Sequence, residues 1–135
     1  MEKFIAEIKK GNIYCIDAKQ FDDESQYCIE VVSKFASQNN TVLYMSHKMD
    51  EDEFDERQKS TGINASNNVE FIEMYILTIP GLEMFTDEVD YDLIVLDPYD
   101  FYSGKLSIDE LEEFAKENNL AILITTNNEQ LISKR

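Results

Sequence analysis

The chain has 135 residues, a length that suits one domain, and 43% of them are hydrophobic, which excludes wholesale disorder. Its net charge of -16 argues against a general nucleic-acid or anionic-membrane surface, because both need basic patches. The charge is compatible with a basic protein partner, with mimicry of nucleic acid, or with simple solubility.

The opening segment, MEKFIAEIKKGN, is charged and lacks the apolar core of a signal peptide. Phe4, Ile5 and Ile8 predict a short amphipathic helix ending at Gly11. NIYCID reads as an apolar strand. After it, Tyr27, Cys28, Val31, Val32 and Phe35 recur at helical spacing from Glu24 to about Gln38. Asn39 and Asn40 break that helix, and TVLYMS is a second strand. DEDEFDERQK predicts a polar helix with Asp50 as its N-cap, and STGINASNN a loop over 60–68.

VEFIEM reads as a third strand, and TIPGLEMFTDEV as a short helix after Pro80. YDLIVLD is an unbroken apolar run ending on an acid, the mark of a buried strand. PYDFYSGK is a loop by composition. SIDELEEFAKENN is a helix with Ser107 and Glu110 spaced as a capping box. LAILITT is the fifth strand, and NNEQLISKR a short polar tail. No run approaches membrane-spanning length, and the expected location is intracellular, in the cytoplasm. Cys15 and Cys28 do not have a close metal-type spacing and are expected as reduced, buried thiols. His47 is the only histidine, which excludes a His-rich metal site.

Continuous apolar strands separated by helices define an α/β fold, a mainly parallel five-stranded sheet covered on both faces. Nothing divides the chain, so residues 1–135 read as one domain. The order of elements resembles the RecA-like ATPase domain of the DnaB-type replicative helicases. The resemblance rests on KGNIYCID leading into a turn and helix, on Ser-x-x-Met after the second strand (SHKM, 46–49), and on YILTIPGLEM. It rests also on YDLIVLD, similar to a Walker B strand, and on FAKENNLAILITTNN, similar to the helix and strand that carry the family's polar sensor.

The resemblance implies a P-loop NTPase-like fold and a phosphate loop, G-x-x-x-x-G-K-[ST], after the first strand. In that register this chain reads AKQFDDES: Ala18 and Asp23 stand at the glycine positions, Glu24 at the lysine, and Ser25 alone matches. The resemblance also implies a catalytic Glu at the third position of SHKM, where Lys48 stands, and a Gln sensor where Thr126 stands. A carboxylate within ~4 Å of a phosphate oxygen costs roughly 4 kcal/mol at an effective dielectric near 20. A helix N-terminus returns only about 0.3–1 kcal/mol. Without a ligand, Asp22, Asp23 and Glu24 are good residues for starting a helix. The exchanged charges at 24 and 48 allow an ion pair between them.

Asp97 is the retained Walker B-like residue. With Asp17, Asp22 and Asp100 it offers oxygen ligands for a divalent cation, but the simpler account is that it caps the DPYD turn. Tyr99, Phe101 and Tyr102 fall near the carboxyl edge of the sheet, where they either anchor a partner or pack over strand ends. The acids of 50–56 are a solvated face or a dock for a basic patch. The expectation is a non-enzymatic, RecA-like binding protein without a cofactor or metal. The resemblance makes a helicase, its loader or a related ATPase in DNA replication the natural partner, and neither nucleic acid nor membrane. The alternatives are an ATPase with an unusual site, resting on Ser25 and Asp97, and an acidic nucleic-acid mimic, resting on the charge.

Overall fold

The structure, a computed structural model, describes residues 8–64 and 68–134. Five strands form one wholly parallel sheet: β1 (Ile13–Asp17), β2 (Val42–Ser46), β3 (Val69–Glu73), β4 (Leu93–Asp97) and β5 (Ala121–Thr126). Their spatial order is β1-β5-β4-β2-β3, so the two edges are β1 and β3. The helices are α1 (Glu24–Ser37), α2 (Glu51–Ser60), α3 (Ile79–Glu88), α4 (Tyr99–Tyr102), α5 (Ile108–Glu117) and α6 (Glu129–Lys134).

Strand side chains alternate between the faces, and each face has its own core. On one side Val42, Tyr44, Leu93, Val95, Ala121 and Leu123 pack beneath α1 and α2, meeting Cys28, Ile29, Val32 and Phe54. On the other, Leu43, Met45, Ile94, Leu96, Ile122 and Ile124 meet Leu82 of α3 and Leu111, Phe114 and Ala115 of α5. Every residue of β2, β4 and β5 is buried, which is why these strands read as continuous apolar runs. Each fully buried aliphatic side chain contributes about 1.5–3 kcal/mol to this sandwich.

The helix starts follow local chemistry. Asp23, Asp50, Thr78 and Ser107 each accept a backbone N–H three residues on, at 3.1, 2.8, 3.2 and 3.1 Å. Glu110 completes the box by accepting the Ser107 N–H at 3.2 Å. Two helices end on paired asparagines. Asn39 and Asn119 take positive φ, 68° and 52°, one residue beyond the caps of α1 and α5. Asparagine enters this left-handed region more readily than most residues, which makes it an effective terminator.

Several expectations need correction. PYDFYSGK is not all loop, because residues 99–102 form α4, and the polar tail contains α6. The helix expected over 4–10 falls partly on residues 1–7, outside those described, and residues 8–10 are not helical. Residues 65–67 of the expected 60–68 loop are also outside the described set, and Ser60 belongs to α2. Both cysteines are free. Cys28 is fully buried, whereas Cys15 is only half-buried.

Candidate functional site

A parallel sheet delivers the carboxyl ends of all its strands to one edge, and open α/β sheets bind ligands there. After β1, Asp17 accepts the Lys19 N–H at 3.0 Å, and residues 18–20 make one 3-10 turn. Phe21 stacks on Tyr27 with centroids 4.5 Å apart. Ala18 therefore lies in the 3-10 turn, Asp23 is the α1 N-cap, and Glu24 and Ser25 open the helix. Asp22 is exposed.

Asp23 is held from two sides. It caps Gln26, and its two carboxylate oxygens lie 3.1 and 3.0 Å from Nη1 of Arg57, which reaches across from α2. Arg57 Nε also meets Glu53 at 3.0 Å. Burial pushes the Asp23 carboxyl up, but the Gln26 N–H and the Arg57 guanidinium outweigh it and hold the carboxyl below its usual value. The sequence reading missed Arg57. Its only sequence signal is a cation in a run of acids on a helix adjoining α1.

Lys48 follows β2 and turns toward α1. Its Nζ lies 2.7 Å from Glu24 Oε1 and 3.8 Å from Asp97 Oδ1, so the ion pair that the exchanged charges allow is formed. Burial disfavours the ammonium, but Asp97 and Glu24 together raise the Lys48 pKa above its ordinary value. Lys48 therefore stays charged throughout the neutral range, and any stability it contributes is lost only in strong alkali.

Asp97 is completely buried on the face covered by α1. It accepts the Tyr44 hydroxyl and the Thr125 hydroxyl, both at 2.6 Å, so each oxygen has a neutral donor and Lys48 supplies the nearby charge. The expectation that Asp97 caps the following turn is corrected. The helix that follows, α4, has Pro98 at its N-cap position and no side-chain cap, and Asp100 instead holds the end of β5, accepting the Asn127 N–H at 2.8 Å and the Thr126 hydroxyl. Thr126 is buried beneath these contacts. The strand register explains the Tyr44 contact. Tyr44 pairs with Val95 and Ser46 with Asp97, so Tyr44 and Asp97 share a face two residues apart.

Ser25 Oγ is buried and has no hydrogen-bond partner among the described residues. Among those residues no group of three or more His, Cys, Asp or Glu side chains is arranged to hold a metal ion, and Asp17, Asp22, Asp97 and Asp100 form none.

The three loop aromatics separate. Tyr99 and Tyr102 are buried, and their hydroxyls donate to the carbonyls of Leu106 and Met74. Phe101 remains 47% exposed. His47, absent from the expected site, packs edge-on against Phe101 with ring centroids 3.6 Å apart. Tyr75 and Tyr102 lie 6.4 and 6.5 Å from the same imidazole. Three loops thus contribute to one aromatic cluster, a grouping visible only once β2, β3 and β4 are known to be neighbours.

No protein-family model matches the chain, and no curated protein matches it. Solved structures do. A DnaB-like replicative helicase, solved with attention to its interactions with primase, superposes with a TM-score of 0.66 at 8% identity. The match covers 95% of this chain but only 41% of the helicase chain. The flagellar accessory protein FlaH from Methanocaldococcus jannaschii superposes with a TM-score of 0.62 at 20% identity, over 98% of this chain and 70% of that one. The fold is RecA-like. At these identities the likeness concerns architecture, and the chain spans less than half the length of the helicase.

Proposed function

We propose that this chain is a non-catalytic RecA-like protein that acts by binding other proteins. The observation that carries this reading is the Lys48 ammonium, 2.7 Å from Glu24 and 3.8 Å from Asp97. In the helicase register, Glu24 stands at the phosphate-binding lysine and Lys48 at the catalytic carboxylate. The two have exchanged charge and neutralise each other. A nucleotide phosphate at this turn would meet Glu24 and the Asp23 carboxylate instead of a lysine and glycine amides. Each such approach costs roughly 4 kcal/mol before screening. Lys48, paired and with a raised pKa, is also unsuited to accept a proton from water at neutral pH.

The helicase likeness makes a replicative helicase, its loader or a related RecA-like ATPase the preferred class of partner. That step rests on fold analogy. One observation favours a second reading, an ATPase with an unusual site: Ser25 keeps a buried, unpartnered hydroxyl at the position of the phosphate-loop serine. Calorimetric titration with Mg-ATP separates the two. The binding-protein reading expects no heat at millimolar nucleotide, and micromolar affinity would sink it.

A further inference from the structure

A protein that acts by binding other proteins, as proposed above, needs a surface and a partner chemistry, and one cleft offers both. Of the exposed large hydrophobic side chains, Tyr75, Ile76 and Phe101 line a single cleft at the carboxyl edge of the sheet, with Leu77, Tyr102 and Lys105. They are 57%, 71% and 47% exposed, far from the burial expected of such side chains in a finished core. Phe101 packs against the rings of His47, at 3.6 Å, and Tyr102, at 5.3 Å and 85°. The Tyr75 hydroxyl donates to the exposed Glu73 carboxylate. The rings are therefore fixed, and ordering them on binding costs little.

Size and charge select the occupant. The cleft encloses about 180 Å³, whereas small-molecule and cofactor sites occupy about 300–1,000 Å³. That volume suits one side chain of a partner and is too small to enclose a whole nucleotide. Aromatic faces can stack a nucleobase or a guanidinium equally well. The net charge of -16 repels a phosphate backbone and attracts a basic segment. We propose that this cleft docks an arginine-bearing, basic segment of a partner protein. The guanidinium lies against the rings of Tyr75 and Phe101, and the exposed Glu73 carboxylate that the Tyr75 hydroxyl engages supplies a negative charge beside them. Lysine is a poorer occupant, because its ammonium is compact, strongly hydrated and cannot stack. Lys105 is the one cation lining the cleft and opposes the ligand.

The test titrates the whole chain at about 150 mM salt with two capped peptides of equal charge, one alternating arginine with glycine and the other lysine with glycine. The arginine peptide is expected to bind at least about threefold more tightly. The double variant Tyr75→Ala/Phe101→Ala leaves the charge unchanged and should erase that preference. Lys105→Ala should strengthen both peptides. Equal affinities, or an arginine preference that survives in the double variant, would overturn the assignment. So would weakening by Lys105→Ala, which would indicate an acidic occupant, or tighter binding of an oligothymidylate. If no arginine preference appears while Mg-ATP still gives no heat, the cleft assignment fails alone. Nucleotide binding would remove the protein-binding reading itself.

Discussion

His47 and Lys48 are consecutive residues, yet they belong to opposite halves of the carboxyl edge. Lys48 enters a closed polar cluster, where Glu24, Asp97, Tyr44 and Thr125 use one another's hydrogen-bonding capacity. His47 joins an aromatic cleft whose Tyr75, Ile76 and Phe101 stay exposed. In the polar half these charged and hydroxyl groups satisfy one another within the protein, with the Ser25 hydroxyl as the exception. In the aromatic half Leu77 and Tyr102 belong to the core, but Tyr75, Ile76 and Phe101 add little to it and leave apolar surface to be covered. Mutations should therefore change folding on one side and association on the other.

The largest effect is expected at Asp97. Asp97→Ala leaves Lys48 without a buried counter-charge and two buried hydroxyls without an acceptor. Urea unfolding should show a loss of about 3–5 kcal/mol, and a loss below about 1 kcal/mol would break the contrast. Next is the charge swap Glu24→Lys/Lys48→Glu. The pair itself is preserved, but the new carboxylate at 48 faces Asp97, now 3.8 Å from the ammonium. The swapped protein should be less stable than the parent by about 2 kcal/mol after screening. Equal stability would mean that Asp97 does not sense the residue at 48.

The cap contact gives a smaller, pH-dependent effect. Asp23 has a lowered carboxyl pKa in the folded protein, so its stabilising contribution is present above the ordinary value of 3.8 and is lost as pH falls through the depressed one. Arg57→Ala should cost less than about 1 kcal/mol at pH 7, because Asp23 is half exposed. The difference between parent and variant should shrink steadily in acid below pH 3.8. A gap that widens in acid would reverse the assigned direction.

Tyr75→Ala and Phe101→Ala should each change stability by less than about 1 kcal/mol while altering peptide binding. A loss as large as that of Asp97→Ala would make the cleft part of the core. No effect at all is expected in one assay. Residues 60–90 carry no lysine or arginine, so single-stranded DNA should not bind at physiological salt. A gel shift that weakens with added salt would contradict the charge argument.

What the sequence disclosed follows from range. The strands were legible because burial on both faces leaves unbroken apolar runs, as in LIVLD and AILITT. Caps such as Ser107 with Glu110 were legible because they span three residues. The Glu24–Lys48 contact was accessible because two unusual charges fell at positions that the helicase resemblance relates. Tyr44 holding Asp97 was not, since their meeting depends on β2 lying beside β4. The aromatic cluster was hidden for the same reason. Helix α4 was missed because a four-residue turn rich in Tyr and Asp has no periodicity to detect. Its tyrosine hydroxyls meet carbonyls that only the finished fold brings near.

The position of β1 has a consequence for how the chain is made. Among the described residues β1 lies at one edge of the sheet and pairs with β5 alone, Ile13 opposite Ile122 and Asp17 opposite Thr126. During synthesis the first strand therefore has no partner until residues 121–126 have been polymerised. The strands β2, β3 and β4 can pair among themselves beforehand. Pairing over so long a separation is entropically slow, and an apolar strand waiting for its neighbour is exposed to wrong partners. A ribosome-bound chain stopped before β5 should therefore display IYCID to proteases and chaperones, and completion of AILITT should withdraw it.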